Sequence, residues 1–120
     1  MREIKFRAFD FKVKQMFIVK QIHIDMMNSK KHHKNRVYMQ LTGLKDRNGV
    51  EIYEGDIVKM FGFDKAIEVV FKKGSFGYFG MIHKNFVSFS ENYNFNFLDN
   101  KSNEIEVIGN IHENKELLND

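Results

Sequence analysis

The chain has 120 residues and a mass of 14.3 kDa, with 42% hydrophobic and 29% charged residues and a formal net charge of +3. That size admits one domain over residues 1–120 with one sizeable core, and the composition lies well away from the low-hydrophobicity regime of disorder. The absence of cysteine excludes disulfides, thiol catalysis and Cys-based metal sites, and the absence of proline leaves the turns to Gly, Asn and Asp. Charge is uneven: residues 1–60 hold 13 Lys and Arg against 7 Asp and Glu, and residues 61–120 hold 6 against 9. A basic first half permits an acidic or nucleic-acid partner without requiring one. No apolar run approaches the roughly 18–20 residues of a membrane span, and the start "MREIKFRAFD" lacks the apolar core of a signal peptide. The expectation is therefore a cytoplasmic protein with no membrane partner.

In chain order, "REIKFRAF" alternates, with Ile4, Phe6 and Ala8 on one side and Glu3, Lys5 and Arg7 on the other, as a half-buried strand does. "DFKVKQ" connects it to "MFIVKQIHI", a run rich in β-branched residues, which predicts an N-terminal hairpin. From Asp25 to Arg36 the period dissolves into a basic loop, "DMMNSKKHHKNR". "VYMQLTG", "IVKMFGF", "AIEVVF" and "FGYFGMI" read as further strands, the last two joined by a turn at "KKGS". "NYNFNF" alternates strictly, with Tyr93, Phe95 and Phe97 opposed to Asn92, Asn94 and Asn96. "EIEVIGNI" is a last strand, and "ENKELLND" predicts a short C-terminal helical turn with Asn114 as N-cap and Glu116 near the favourable end of its dipole. The sum is a mostly β domain of about eight to ten short antiparallel strands in a barrel-like or strongly curved sheet.

The densest polar stretch is "GLKDRNGVEIYEGDIV", Gly43 to Val58. A calcium loop of EF-hand type fails on its ligands: with Gly49 at the sixth position, Leu44 falls at the first and Gly55 at the twelfth, where carboxylates are needed. A phosphate loop lacks its Gly-Lys-Ser/Thr ending and its helix. Turn chemistry fits better. Asn48 and Gly49 predict a type I′ hairpin turn, and Glu54, Gly55 and Asp56 redirect the chain into the next strand.

Three segments, "MREIKFRAFD", "LTGLKDRNGVEIYEGDIVK" and "EVIGNIHENKELL", resemble in order and spacing the YopX family of small phage and prophage proteins, and together cover about a third of the chain. Two positions depart from the family pattern: Phe9 stands where Trp is frequent, and Lys115 where Pro is frequent just after Asn114. The resemblance implies a β-rich, phage- or prophage-encoded domain that self-associates, and carries over no catalytic residue. The residues expected to form a structural turn motif are Gly43, Asp46, Asn48, Gly49, Glu54, Gly55, Asp56, Gly109, Asn110 and Asn114.

Candidate chemistry is sparse. His32 and His33, adjacent on a basic loop, do not make a zinc pair, and His23, His83 and His112 are isolated. Glu51, Glu54 and Asp56 cluster around one turn without a nucleophile, and Thr42, the single threonine, sits in no nucleophile elbow. The expectation is no enzyme activity, no metal and no cofactor. Lys30, Lys31, Lys34 and Arg36 form a candidate phosphate-binding segment, with Phe76, Tyr78 and Phe79 beside Lys72 and Lys73 as stacking candidates. Nine of the 13 Phe follow residue 60, and excess Phe on strands can signal an assembly surface, so a protein partner or a homo-oligomer is the favoured expectation and nucleic acid the alternative.

Overall fold

A computed structural model describes residues 5–19, 35–72, 74–79, 85–89 and 101–118. The "NYNFNF" segment and residues 25–34 of the basic loop lie outside them. The described residues form ten short strands in antiparallel sheets and one 3-10 turn, Lys115–Leu118, so the mostly β reading and its short helical end hold. The chain divides into two compact units, Met1–Leu41 and Thr42–Asp120.

In the first unit, β1 (Phe6–Asp10) lies between β2 (Gln15–Val19) and the beginning of β3 (Arg36–Lys45). The register pairs Ala8 with Phe17 and Tyr38, and Phe9 with Met16 and Val37. Ala8 and Phe9 are both buried although successive residues of a strand point to opposite faces, where the alternation predicted one buried face only. The connection is a four-residue turn closed by Asp10, whose Oδ1 accepts from the N–H groups of Lys12 and Val13 (2.9 and 3.3 Å). Lys14 takes a left-handed φ of 57° to leave it.

In the second unit, the end of β3 neighbours β4 (Glu51–Tyr53). β5 (Asp56–Met60) is flanked by β10 (Ile105–Asn110) and β6 (Ile67–Glu68), and β8 (Ser75–Phe79) by β7 (Val70–Lys72) and β9 (Phe86–Ser88). The core gathers Ile52, Val58, Met60, Val69, Tyr78 and Phe89 among others. "AIEVVF", read as one strand, is two. Val69 donates to the Asp56 carbonyl (2.8 Å) and accepts from Gly55 N–H (2.9 Å), and this fully buried residue passes the chain from one sheet to the next. The sequence reading also missed β9, whose three residues are too short to show a period. "IVKMFGF" ends as a strand at Met60, because Gly62 adopts φ 90° and turns the chain.

Candidate functional site: a groove beside a locked hairpin

The 46–50 hairpin is built on one carboxylate. Asp46 is fully buried, and its Oδ1 accepts from the N–H groups of Asn48 (2.8 Å) and Val50 (2.9 Å), while Oδ2 accepts from Val107 N–H on β10 (2.9 Å). The turn is not type I′. Asn48 has a negative φ and only Gly49 is left-handed (81°); Gly49 N–H donates to the Asp46 carbonyl, and Asp46 N–H to that of Val50. This is a three-residue loop, a type I turn followed by a left-handed glycine. The Asp46 carboxylate selects it, because accepting from the N–H groups two and four residues ahead requires the chain to curl around the side chain. Asn48 Nδ2 also reaches Glu106 Oε2 (3.3 Å).

The other turn residues are equally occupied. Gly43 and Gly55 have φ of 85° and 86°. Asp56 Oδ2 accepts from Tyr53 N–H (2.8 Å), closing the turn that contains Glu54, and Gly55 O accepts from Ile111 N–H (2.9 Å). Asn110 Oδ1 accepts from His112 and Glu113 N–H, and Asn114 Oδ1 accepts from Asn110 N–H (3.2 Å). Asn114 precedes the 3-10 turn as expected of an N-cap, but its side chain bonds backwards and its carbonyl takes Leu117 N–H instead. Gly109 makes room for this: a Cβ there would lie 2.7 Å from Asn114 Oδ1. Glu68 has its carboxyl pushed up by burial and by the charge of Glu54, against the opposing pull of Lys115. Among the described residues, no group of three or more His, Asp or Glu side chains is placed to hold a metal ion.

Of the basic segment, Lys30, Lys31 and Lys34 lie outside the described residues. Arg36 is engaged in the first unit: its Nε donates to Asp10 Oδ2 (3.1 Å), and its guanidinium carbon lies 4.9 Å from the centre of the Phe17 ring. The Arg36 hydrogen bond holds the Asp10 carboxyl below its ordinary range, and the same bond raises Arg36. Of the stacking candidates, Phe76 and Tyr78 are buried in the core, since they point inward from β8. Phe79 stays exposed, with Lys72 Nζ 5.0 Å from its ring centre.

The sequence reading missed a groove of about 400 Å³ lined by Arg47, Lys59, Met60, Phe61, Gly62, Phe63, Asp64, Glu104 and Glu106. The β5–β10 register sets Lys59 opposite Glu106 and Met60 opposite Ile105, and Phe61 N–H continues it by donating to the Glu104 carbonyl (2.7 Å). Met60 and Phe63 face inward, Phe63 edge-to-face with Tyr78 at 6.1 Å, while Phe61 is 79% exposed. The available signal was Gly62 between two phenylalanines. A glycine inside an apparent strand marks a turn, and a turn breaks the alternation that would have buried one ring.

Comparison with known proteins fits this architecture. The YopX protein family model matches residues 5–119. The chain belongs to the YopX family. Among solved structures, protein EF1440 from Enterococcus faecalis is similar with a TM-score of 0.65 and 28% identity, over 98% of this chain and 99% of that one. YopX from Bacillus subtilis shares the fold at a TM-score of 0.55 and 17% identity, over 95% and 97% of the two chains. Among curated proteins, none matches the chain. No helix among the described residues of this YopX-family chain is long and apolar enough to cross a membrane.

Proposed function

We propose that this YopX-family chain is a non-catalytic accessory protein of phage or prophage origin, acting in the host cytoplasm by binding protein, with the groove around Phe61 as its docking face. A second copy of the chain is the first partner to test. The supporting observation is Phe61, 79% exposed at the rim of a groove whose floor is Met60 and Phe63. Scattered apolar residues on a surface need no explanation, but an aromatic ring standing beside an apolar recess and ringed by charge has the layout of an interface anchor. Light scattering across the micromolar range, on wild type and Phe61→Ser, tests it. A mass that is a multiple of 14.3 kDa, falling to the monomer in the variant, is expected. A monomer in both removes self-association. Salt-steep binding of labelled DNA that survives Phe61→Ser and is lost when Lys30, Lys31 and Lys34 become Ala would move the reading to nucleic acid.

A further inference from the structure

Charge in the groove is not balanced around Phe61. Three carboxylates, Asp64, Glu104 and Glu106, face two cations, Arg47 and Lys59. Glu106 lies opposite Lys59 in the strand register without an ion pair to it and accepts from Asn48 Nδ2 (3.3 Å), and among the described residues neither Arg47 nor Lys59 makes an ion pair. Asp64 and Glu104 have no ion pair or side-chain hydrogen bond among the described residues. Phe61, whose backbone is bonded to Glu104, stacks on no other ring among them. An open aromatic face next to uncompensated carboxylates attracts a cation twice, through the ring quadrupole and through direct charge.

We infer that the groove takes an arginine-bearing basic segment of a protein partner, with the guanidinium over the Phe61 ring and in reach of Glu104 and Asp64. The inference rests on the docking reading above and names its chemistry. Arginine fits better than lysine because its planar group can lie on the ring while its N–H groups fork to a carboxylate.

The test is a fluorescence anisotropy titration of the full chain with a fluorescein-labelled peptide of alternating glycine and arginine, with the same peptide carrying lysine or neutral citrulline. The arginine peptide is expected to bind more tightly than the lysine one, and the citrulline peptide not to bind. Phe61→Ala and Glu104→Gln are each expected to weaken the arginine peptide about fivefold or more. Both side chains are exposed, and unchanged circular dichroism confirms folded variants. Equal affinity for the arginine and citrulline peptides, no binding of any peptide, or binding untouched by Phe61→Ala would overturn the inference. The light-scattering result, obtained without peptide, stands independently, so a failed basic-segment reading is distinguishable from a failed docking reading.

Discussion

Two turns of the second unit, Asp46–Val50 and Phe61–Lys65, use similar residue types to opposite ends. Each has a left-handed glycine, Gly49 or Gly62, and an aspartate. In the first, the aspartate is buried and three backbone N–H groups converge on it; in the second, Asp64 is exposed and Phe61 projects into solvent. The difference lies in what the aspartate side chain meets. Where backbone donors converge on the carboxylate the turn is scaffold, and where they do not its side chains remain available to a partner.

Asp46→Ala carries the largest expected effect. The substitution leaves the N–H groups of Asn48, Val50 and Val107 without their acceptor and removes one of the ties between the hairpin and β10, leaving the bond from Arg47 N–H to the Ile105 carbonyl (2.8 Å). With roughly 1–3 kcal/mol for a buried donor left unsatisfied and less where water reaches it, as at exposed Asn48 and Val50, a loss of about 2–3 kcal/mol is expected in urea denaturation. Asp46→Asn keeps one acceptor oxygen and should fall between the two. A variant as stable as wild type would show that the carboxylate does not hold the hairpin.

A smaller effect separates the observed turn from type I′. At Gly49 an added Cβ meets nothing within 4 Å, so Gly49→Ala costs only backbone strain, about 1 kcal/mol for a left-handed L-residue. Asn48 has no positive φ, so Asn48→Ala should lose less than about 0.5 kcal/mol, the worth of an exposed bond to Glu106. In a type I′ turn both positions would carry strain. Equal destabilisation in thermal melts would therefore restore that assignment.

How much of this was legible follows from range. The turn residues from Gly43 to Asp56 could be picked out because glycine and aspartate act on backbone a few positions away. The bond from Val107 to Asp46 spans 61 residues and left no local mark, so the buried carboxylate read as an ordinary turn residue. The same limit joined β6 to β7, since nothing local in "AIEVVF" shows Val69 bonding back to Gly55 and Asp56. Arg36 looked like one cation of a basic run; its pairing with Asp10 depends on the β1–β3 register. The groove was illegible for a related reason, as Phe61 and Glu104 meet only when β5 and β10 pair.

The weakest expected effect on stability is the most informative about function. Phe61→Ser removes an aromatic ring, which in a core costs about 3–5 kcal/mol. At 79% exposure the ring leaves no cavity and loses little contact, so the change in isolated stability should stay within about 0.5 kcal/mol. Thermal melts at low protein concentration, where association contributes least, read this directly. A large loss there would mean that Phe61 packs against the fold, and the groove would lose its anchor. An unchanged melt together with a fall in mass or in peptide affinity would instead place the cost of the substitution in binding alone. That separation is what the two turns predict, with Asp46 paired inside the fold and Phe61 left for a partner to cover.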